Sequence, residues 1–131
     1  MRTRSLRMNY EFARVYNKGR FVTSRTVVMH YLPRPKRDKR IGITVSRKIG
    51  GSVRRNRMKR LLREAWRLNE HMIKPGFDVV LVGRSSDPLP DFRQVSQDLL
   101  KLLNKAGLML PGEVNGLSSR KDDGNENIQA R

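Results

Sequence analysis

The chain of 131 residues has no cysteine, so no disulfide can staple it and no thiolate can hold a metal. No stretch approaches the roughly 20 apolar residues that a bilayer-spanning helix requires. The opening Met1-Arg2-Thr3-Arg4-Ser5 is basic and lacks the apolar segment of a secretory signal, which predicts a soluble intracellular protein with no membrane partner. Acids are scarce where the chain is most distinctive: residues 1–67 contain only Glu11, Asp38 and Glu64. The two histidines, His30 and His71, are far apart in sequence. A protein hydrolase needs such groups gathered to bind a metal or move protons. No self-contained catalytic centre is therefore expected, and no nucleophile stands beside a matching base.

Positive charge fills the space that the acids leave. The chain carries 29 Lys and Arg against 12 Asp and Glu, a formal charge of +17. Residues 1–67 hold 21 of those cations and 3 acids, whereas residues 68–131 hold 8 and 9. Such an excess raises the energy of the compact state by self-repulsion, and a polyanionic partner relieves it. Its confinement to one part of the chain predicts a binding surface and not a general solubility device. A hydrophobic fraction of 37% is enough for one domain with a modest core.

Periodicity supplies the elements. Asn9 can cap a short helix on which Phe12, Val15 and Tyr16 share a face, with Gly19 past its end. Residues 21–32 are rich in β-branched and aromatic types, and Val27 to Leu32 reads as a strand. The proline-containing, basic run from Pro33 to Arg40 reads as an exposed connection. Ile41 to Ser46 is a second strand, predicted to pair with the first as a hairpin. Gly50-Gly51 breaks the chain, and Ser52 is placed to cap a long helix over about 53–72. Lys74-Pro75-Gly76 stops that helix. Phe77 to Arg84 has the composition of a strand buried on both faces. Asp91 and Gln94 have capping-box spacing before a last helix, whose stripe is Phe92, Val95, Leu99, Leu102, Leu103 and Ala106. The polar residues 112–131 read as a disordered tail to a domain of residues 1–111. The fold class is α+β, a single-domain α/β sandwich of order α-β-β-α-β-α, with no internal repeat.

On a helical wheel Met58, Leu61, Leu62, Ala65, Trp66, Met72 and Ile73 fall within roughly 140° and form a buried stripe. Opposite them Asn56, Lys59, Arg60, Arg63 and Arg67 crowd into roughly 100°, with Arg57 on one side and Arg55 nearer the apolar border. Lys59–Arg63 and Arg63–Arg67 are like-charged i, i+4 pairs, each unfavourable by roughly 0.2–0.5 kcal/mol in an isolated helix. Arg54 and Arg55 in the first turn also oppose the helix dipole. A solvated face would ordinarily interleave carboxylates, and only Glu64 and Glu70 are available. Phosphates on this face would turn both penalties into gains, and arginine adds planar forks for phosphates and base edges. A basic amphipathic helix could instead lie on an anionic membrane, but its apolar stripe is needed for the core between two strands.

The string Arg40-Ile41-Gly42-Ile43-Thr44-Val45-Ser46-Arg47-Lys48, followed by Val53-Arg54-Arg55-Asn56-Arg57-Met58-Lys59-Arg60-Leu61-Leu62-Arg63-Glu64, resembles the bacterial ribonuclease P protein subunit. The similarity extends from about Leu6 through the last helix. It implies a ribosomal-protein-like fold with a left-handed βαβ crossover, against the usual handedness. It also implies a bacterial cytoplasmic ribonucleoprotein in which a catalytic RNA, using Mg2+ bound mainly by RNA, hydrolyses the 5′ leader from precursor tRNA. The protein would bind ribonuclease P RNA through Arg55, Asn56, Arg57, Lys59, Arg60, Arg63 and the adjoining Arg67, with Arg47 and Lys48 beside them. Phe12 and Tyr16 match aromatic positions of a leader-binding cleft, and His30 falls where the family often has Tyr. Residue spacing alone fits plain core packing for Phe12 and Tyr16 equally well, and a lone strand His is more often structural. Gly51-Ser52 stands where relatives commonly carry Asn-Ala. No catalytic residue, intrinsic metal site or obligate protein partner is expected in the chain. A ribosomal protein or general RNA chaperone would share the composition but not the motif.

Overall fold

The computed structural model describes residues 3–111, so the expected tail lies outside the described residues. Its centre is β5 (Phe77–Gly83), where Asp78, Val79, Val80 and Leu81 are all buried. A strand that is apolar on both faces must be covered on both, and it must have a neighbour along each edge. Along the chain the elements are β1 (Thr3–Ser5), α1 (Asn9–Lys18), β2 (Arg20–Thr23), β3 (Val27–Pro33), β4 (Lys39–Val45), α2 (Ser52–Asn69), β5 and α3 (Phe92–Ala106). Single 3-10 turns at Arg47–Ile49 and Glu70–Met72 flank α2. The one sheet has the order β1-β4-β5-β3-β2, with β1, β4 and β5 parallel and the β5–β3 and β3–β2 pairs antiparallel.

The expected α-β-β-α-β-α series is present, with two strands added. β1 precedes the first helix, and residues 21–32 form two strands where one was read. Ser24 closes their turn, since its hydroxyl donates to the Val27 carbonyl at 2.9 Å and accepts from the Val27 N–H at 3.1 Å. The predicted hairpin between Val27–Leu32 and Ile41–Ser46 does not form. β5 lies between those strands, with Met29 opposite Leu81 on one side and Ile41 opposite Val79 on the other. A direct hairpin would have left the apolar β5 at an edge.

Strand alternation sorts side chains between two layers. Val27, Met29, Ile41, Ile43, Val79 and Leu81 face α2 and α3, where Met58, Leu62, Ala65, Trp66, Leu99 and Leu103 complete the main core. On the reverse face Val80 meets Leu6 and Val15, with Phe12, Leu32 and Val82 around them, beneath α1. Gly19 ends α1 where β2 begins, because a Cβ there would lie 2.4 Å from the Tyr31 carbonyl oxygen.

Two capping assignments change. The N-cap of α1 is Met8 and not Asn9, and Glu11 reaches back to accept from the N–H groups of Arg7 and Met8 at 2.8 and 2.9 Å. Ser52 is the first residue of α2, not its cap; Gly51 takes that position with no side-chain cap. At α3 the Asp91 carboxylate accepts from the Gln94 N–H at 2.9 Å, as its spacing predicts.

The run 33–40 is not simply an exposed connection. Asp78, 1% exposed, accepts two hydrogen bonds from Arg40 at 2.8 Å and pairs with Arg34 at 3.3 Å. Arg40 also reaches Glu11 at 2.7 Å, and Asp38 pairs with Arg34 and Arg4. A buried carboxylate without such partners would be costly. Lys39, likewise buried, donates to the carbonyls of Glu70 and Ile73 at 2.5 and 3.2 Å and so caps the end of α2 and its 3-10 turn.

Hydrogen bonds from the Met8 and Arg7 N–H groups, with Arg40 beside them, hold the Glu11 carboxyl below its ordinary value against burial. Burial pushes Asp38 upward, but Arg34 and Arg4 outweigh it and leave it lowered. Both groups bind protons less readily folded than unfolded. Their stabilisation is complete above the unfolded values near about pH 4 and drains as pH falls through the lower folded ones. Circular-dichroism melts should show Tm dropping between about pH 4 and 2. Glu11→Gln should lower Tm at neutral pH and flatten that acid slope; an unchanged slope would remove Glu11 from the account.

Candidate nucleic-acid interface

The apolar side of α2 fixes its rotation. Met58, Leu62, Ala65 and Trp66 are buried against the sheet, leaving Asn56, Arg57, Arg60, Arg63 and Arg67 exposed and Arg55 and Lys59 half-buried. Arg67 bonds Glu64 at 2.7 Å, and that hydrogen bond raises the arginine and lowers the carboxyl. Among the described residues the side chains of Arg55, Asn56, Arg57, Lys59, Arg60 and Arg63 have no protein hydrogen-bond partner, although Arg55 Nε is shielded from solvent. The start of the helix is equally bare, with no side-chain cap and no acid in the first turn. Free N–H groups there favour an anion. Arg47 and Lys48, both exposed, project from the 3-10 turn just before it.

Arg54 is different. Its guanidinium donates to the Ile49 carbonyl at 2.8 Å and the Ser86 carbonyl at 3.0 Å, tying the loop before α2 to the loop after β5. Its unfavourable place near the helix start is thus answered by structure. Sequence periodicity could not show this, because the acceptors come from loops.

The opposite layer carries the aromatic candidates. Val15 is fully buried and anchors α1, so Phe12 and Tyr16 flank the α1–sheet junction. Phe12 is half-buried and leans on the smaller core cluster. Tyr16, 41% exposed, meets His30 edge-on at 4.8 Å between ring centroids. Phe21, 62% exposed, lies on the other side of His30 at 5.5 Å. Burial lowers the His30 pKa and raises that of Tyr16, so both rings are neutral near pH 7. Sequence reasoning missed Phe21. Its pairing with His30 depends on the β2–β3 register, whereas an exposed aromatic on a short strand was the visible signal.

The sequence-predicted residues therefore divide between two faces of one sheet. Around the β1–β4 edge they are joined by a groove of about 580 Å³, lined by Leu6, Phe12, Ile43, Arg63 and Arg67 among others. Among the described residues no three His, Asp or Glu side chains come together to hold a metal ion. No helix of the described residues is long and apolar enough to cross a membrane.

Fold and surface together are those of a small α/β protein built to hold a polyanion. The chain belongs to the ribonuclease P protein family: the Ribonuclease P family model matches residues 1–107. It is similar to the ribonuclease P protein component of Caldanaerobacter subterraneus, with 44% identity over 103 residues covering 79% of this chain and 89% of that one. The corresponding Clostridium botulinum protein is 38% identical over 109 residues, covering 82% and 98%. The solved RNase P protein of Staphylococcus aureus matches with a TM-score of 0.72 at 28% identity, covering 81% of this chain and 97% of the other. That of Thermotoga maritima gives 0.69 at 34%, covering 78% and 96%. The family provides the protein component of the endoribonuclease that processes tRNA at its 5′ end.

A Cβ at Gly42 would lie 2.5 Å from the Phe12 ring, so glycine lets that ring cross β4. Gly42→Ala should expel the ring from its seat at a cost of about 1–3 kcal/mol. Denaturant titration reads the loss; unchanged stability would mean that Phe12 is not seated against β4.

Proposed function

We propose that this chain assembles with ribonuclease P RNA through α2 and holds the leader of precursor tRNA on the α1 face. The observation that carries the reading is the unneutralised row on α2: Asn56, Arg57 and Arg60 at its crest, with Arg47 and Lys48 at its open N-terminus and Arg55, Lys59 and Arg63 on the flank; Arg67, which adjoins them, is paired with Glu64. These groups supply phosphate contacts that position a structured RNA. The strip of Tyr16, His30 and Phe21, with Phe12 behind it, supplies flat neutral surfaces on which unpaired bases stack whatever their sequence.

In this reading the RNA performs the metal-dependent hydrolysis, Mg2+ is held mainly by RNA, and the protein contributes affinity for substrate. The bacterial cytoplasm is the corresponding compartment. The test mixes the full chain, a bacterial ribonuclease P RNA and precursor tRNA at low Mg2+ and follows leader removal. Stimulation of cleavage is expected; tight RNA binding without stimulation would refute the assignment.

Two variants separate the surfaces. Arg57→Ala with Arg60→Ala should keep the fold, weaken holoenzyme assembly and reduce the salt slope of binding by roughly 0.7–0.9 per lost phosphate contact. An identical slope would exclude the crest. Tyr16→Ala should weaken precursor binding by about 1–3 kcal/mol while leaving mature tRNA binding alone. Loss of thermal stability without loss of that preference would assign Tyr16 to packing.

A further inference from the structure

Arg25, Lys101 and Lys105 belong to neither of the surfaces described above. All three are exposed, and among the described residues none has a hydrogen-bond or ion-pair partner for its side chain. They converge on one hollow of about 560 Å³ between the β2–β3 turn and a flank of α3. Gln94, Asp98, Lys101 and Lys105 follow one another at three or four residues, so one side of the helix presents them together. Thr23, Ser24 and Arg25 form the facing wall.

The two walls are fastened to each other. Asp98, buried beneath the hollow, accepts from the Thr26 N–H at 3.1 Å and from the Thr26 hydroxyl at 2.6 Å. Gln94 donates to its other oxygen at 3.1 Å. On the turn, Arg84 donates to the Ser24 carbonyl at 2.9 Å. The backbones that carry the three cations are therefore held across one space, which lowers the ordering cost of a ligand they share.

Exposed lysines and arginines ordinarily form a solvated face. Two features set this group apart. Asp98 stands three residues before Lys101, a spacing at which opposite charges pair on a helix. Its oxygens go instead to Thr26 and Gln94, and the lysine stays unneutralised. Lys101 and Lys105 are themselves a like-charged i, i+4 pair, and an anion between them would relieve that repulsion. The second feature is position. Thr23 shares the strand face of Phe21, about 7 Å further along β2, so the hollow opens where the aromatic strip ends. Its lining is polar apart from Leu102, which suits a phosphate and not a base or an apolar side chain.

We propose that the hollow between the β2–β3 turn and α3 is a second phosphate-binding site, where Arg25, Lys101 and Lys105 hold the backbone of an RNA strand at the β2 edge of the sheet. Arg25 can fork onto a phosphate while the two lysines act as point charges beside it. The site rests on the reading of this chain as an RNA-binding subunit and adds a contact remote from α2. Ribonuclease P RNA and precursor tRNA offer the same phosphate chemistry, and the experiment separates them.

The full chain is titrated first with ribonuclease P RNA alone. Holoenzyme at saturating protein is then titrated with precursor tRNA and with mature tRNA. Lys101→Gln with Lys105→Gln is compared with Lys36→Gln plus Arg37→Gln, which removes equal charge from exposed positions of the 33–40 run. In at least one titration the site pair should weaken binding about tenfold more than the comparison pair, as expected when charged hydrogen-bonded contacts are lost. The salt slope there should fall by roughly 0.7–0.9 per phosphate contact removed. Arg25→Gln should weaken the same titration. A loss already present with ribonuclease P RNA alone assigns the phosphate to that RNA. A loss confined to the precursor assigns it to the leader, and one shared with mature tRNA assigns it to the tRNA body. If the site pair never exceeds the comparison pair, the site is overturned. Arg57→Ala with Arg60→Ala then separates the two readings: if it still weakens assembly, only the hollow is lost, and if it is silent as well, the reading of α2 falls too.

Discussion

A single strand that must be covered twice organises this molecule. β5 is apolar toward both layers, so α2 and α3 close one side and α1 the other, and β4 and β3 must flank it. Val79 and Leu81 are buried in one core and Val80 in the other, each stabilising by roughly 25 cal/mol per Å² of apolar surface removed from water. The same demand separates the basic face of α2 from the aromatic strip beside α1. A basic helix and an aromatic strip that are neighbours in the fold cannot face the same direction, because the strand between them has to be hidden from both.

Charge is divided by a similar logic. The carboxylates of Glu11, Asp38 and Asp78 are used on cations at the sheet's lower end, with Arg34 and Arg40 drawn inward to meet them. Lys39 and Arg54 are satisfied by carbonyl groups. Few acids then remain for the outer face of α2, where Glu64 engages only Arg67. The cations left on that face are held in place by a packed helix and wait for an external counter-charge, which is what makes the surface selective for a polyanion.

The parts legible in the sequence are those governed by local periodicity. The stripe of α2, the Asp91 cap of α3, the double burial of β5 and the division of α2 into buried and cationic arcs all follow from spacing along one element. What stayed hidden depends on partners distant in the chain. The hairpin expected between β3 and β4 was the local solution, and the need to surround β5 displaced it. Arg34, Lys39 and Arg40 looked like loop cations because their acceptors, at Asp78, Glu70 and Ile73, lie more than 30 residues away. Phe21 joined His30 only once a second strand, and hence a register, existed. Glycine at the start of α2, where Ser52 was expected to cap, leaves the helix end open. Glycine is an accepted N-cap that offers no side-chain acceptor, so the first N–H groups stay available to an anion.

The Thr3 hydroxyl links Trp66 and Glu70, which follow it by 63 and 67 residues. Contacts of such separation carry a large loop-closure cost and form late. On a chain growing from its N-terminus, these ties of β1 must therefore wait until α2 has been made. During that interval the most cationic half of the protein stands without the central strand that completes its sheet. Until α2 arrives β1 rests on β4 by its backbone ladder alone, and the strand that begins the described fold is among the last to be fastened.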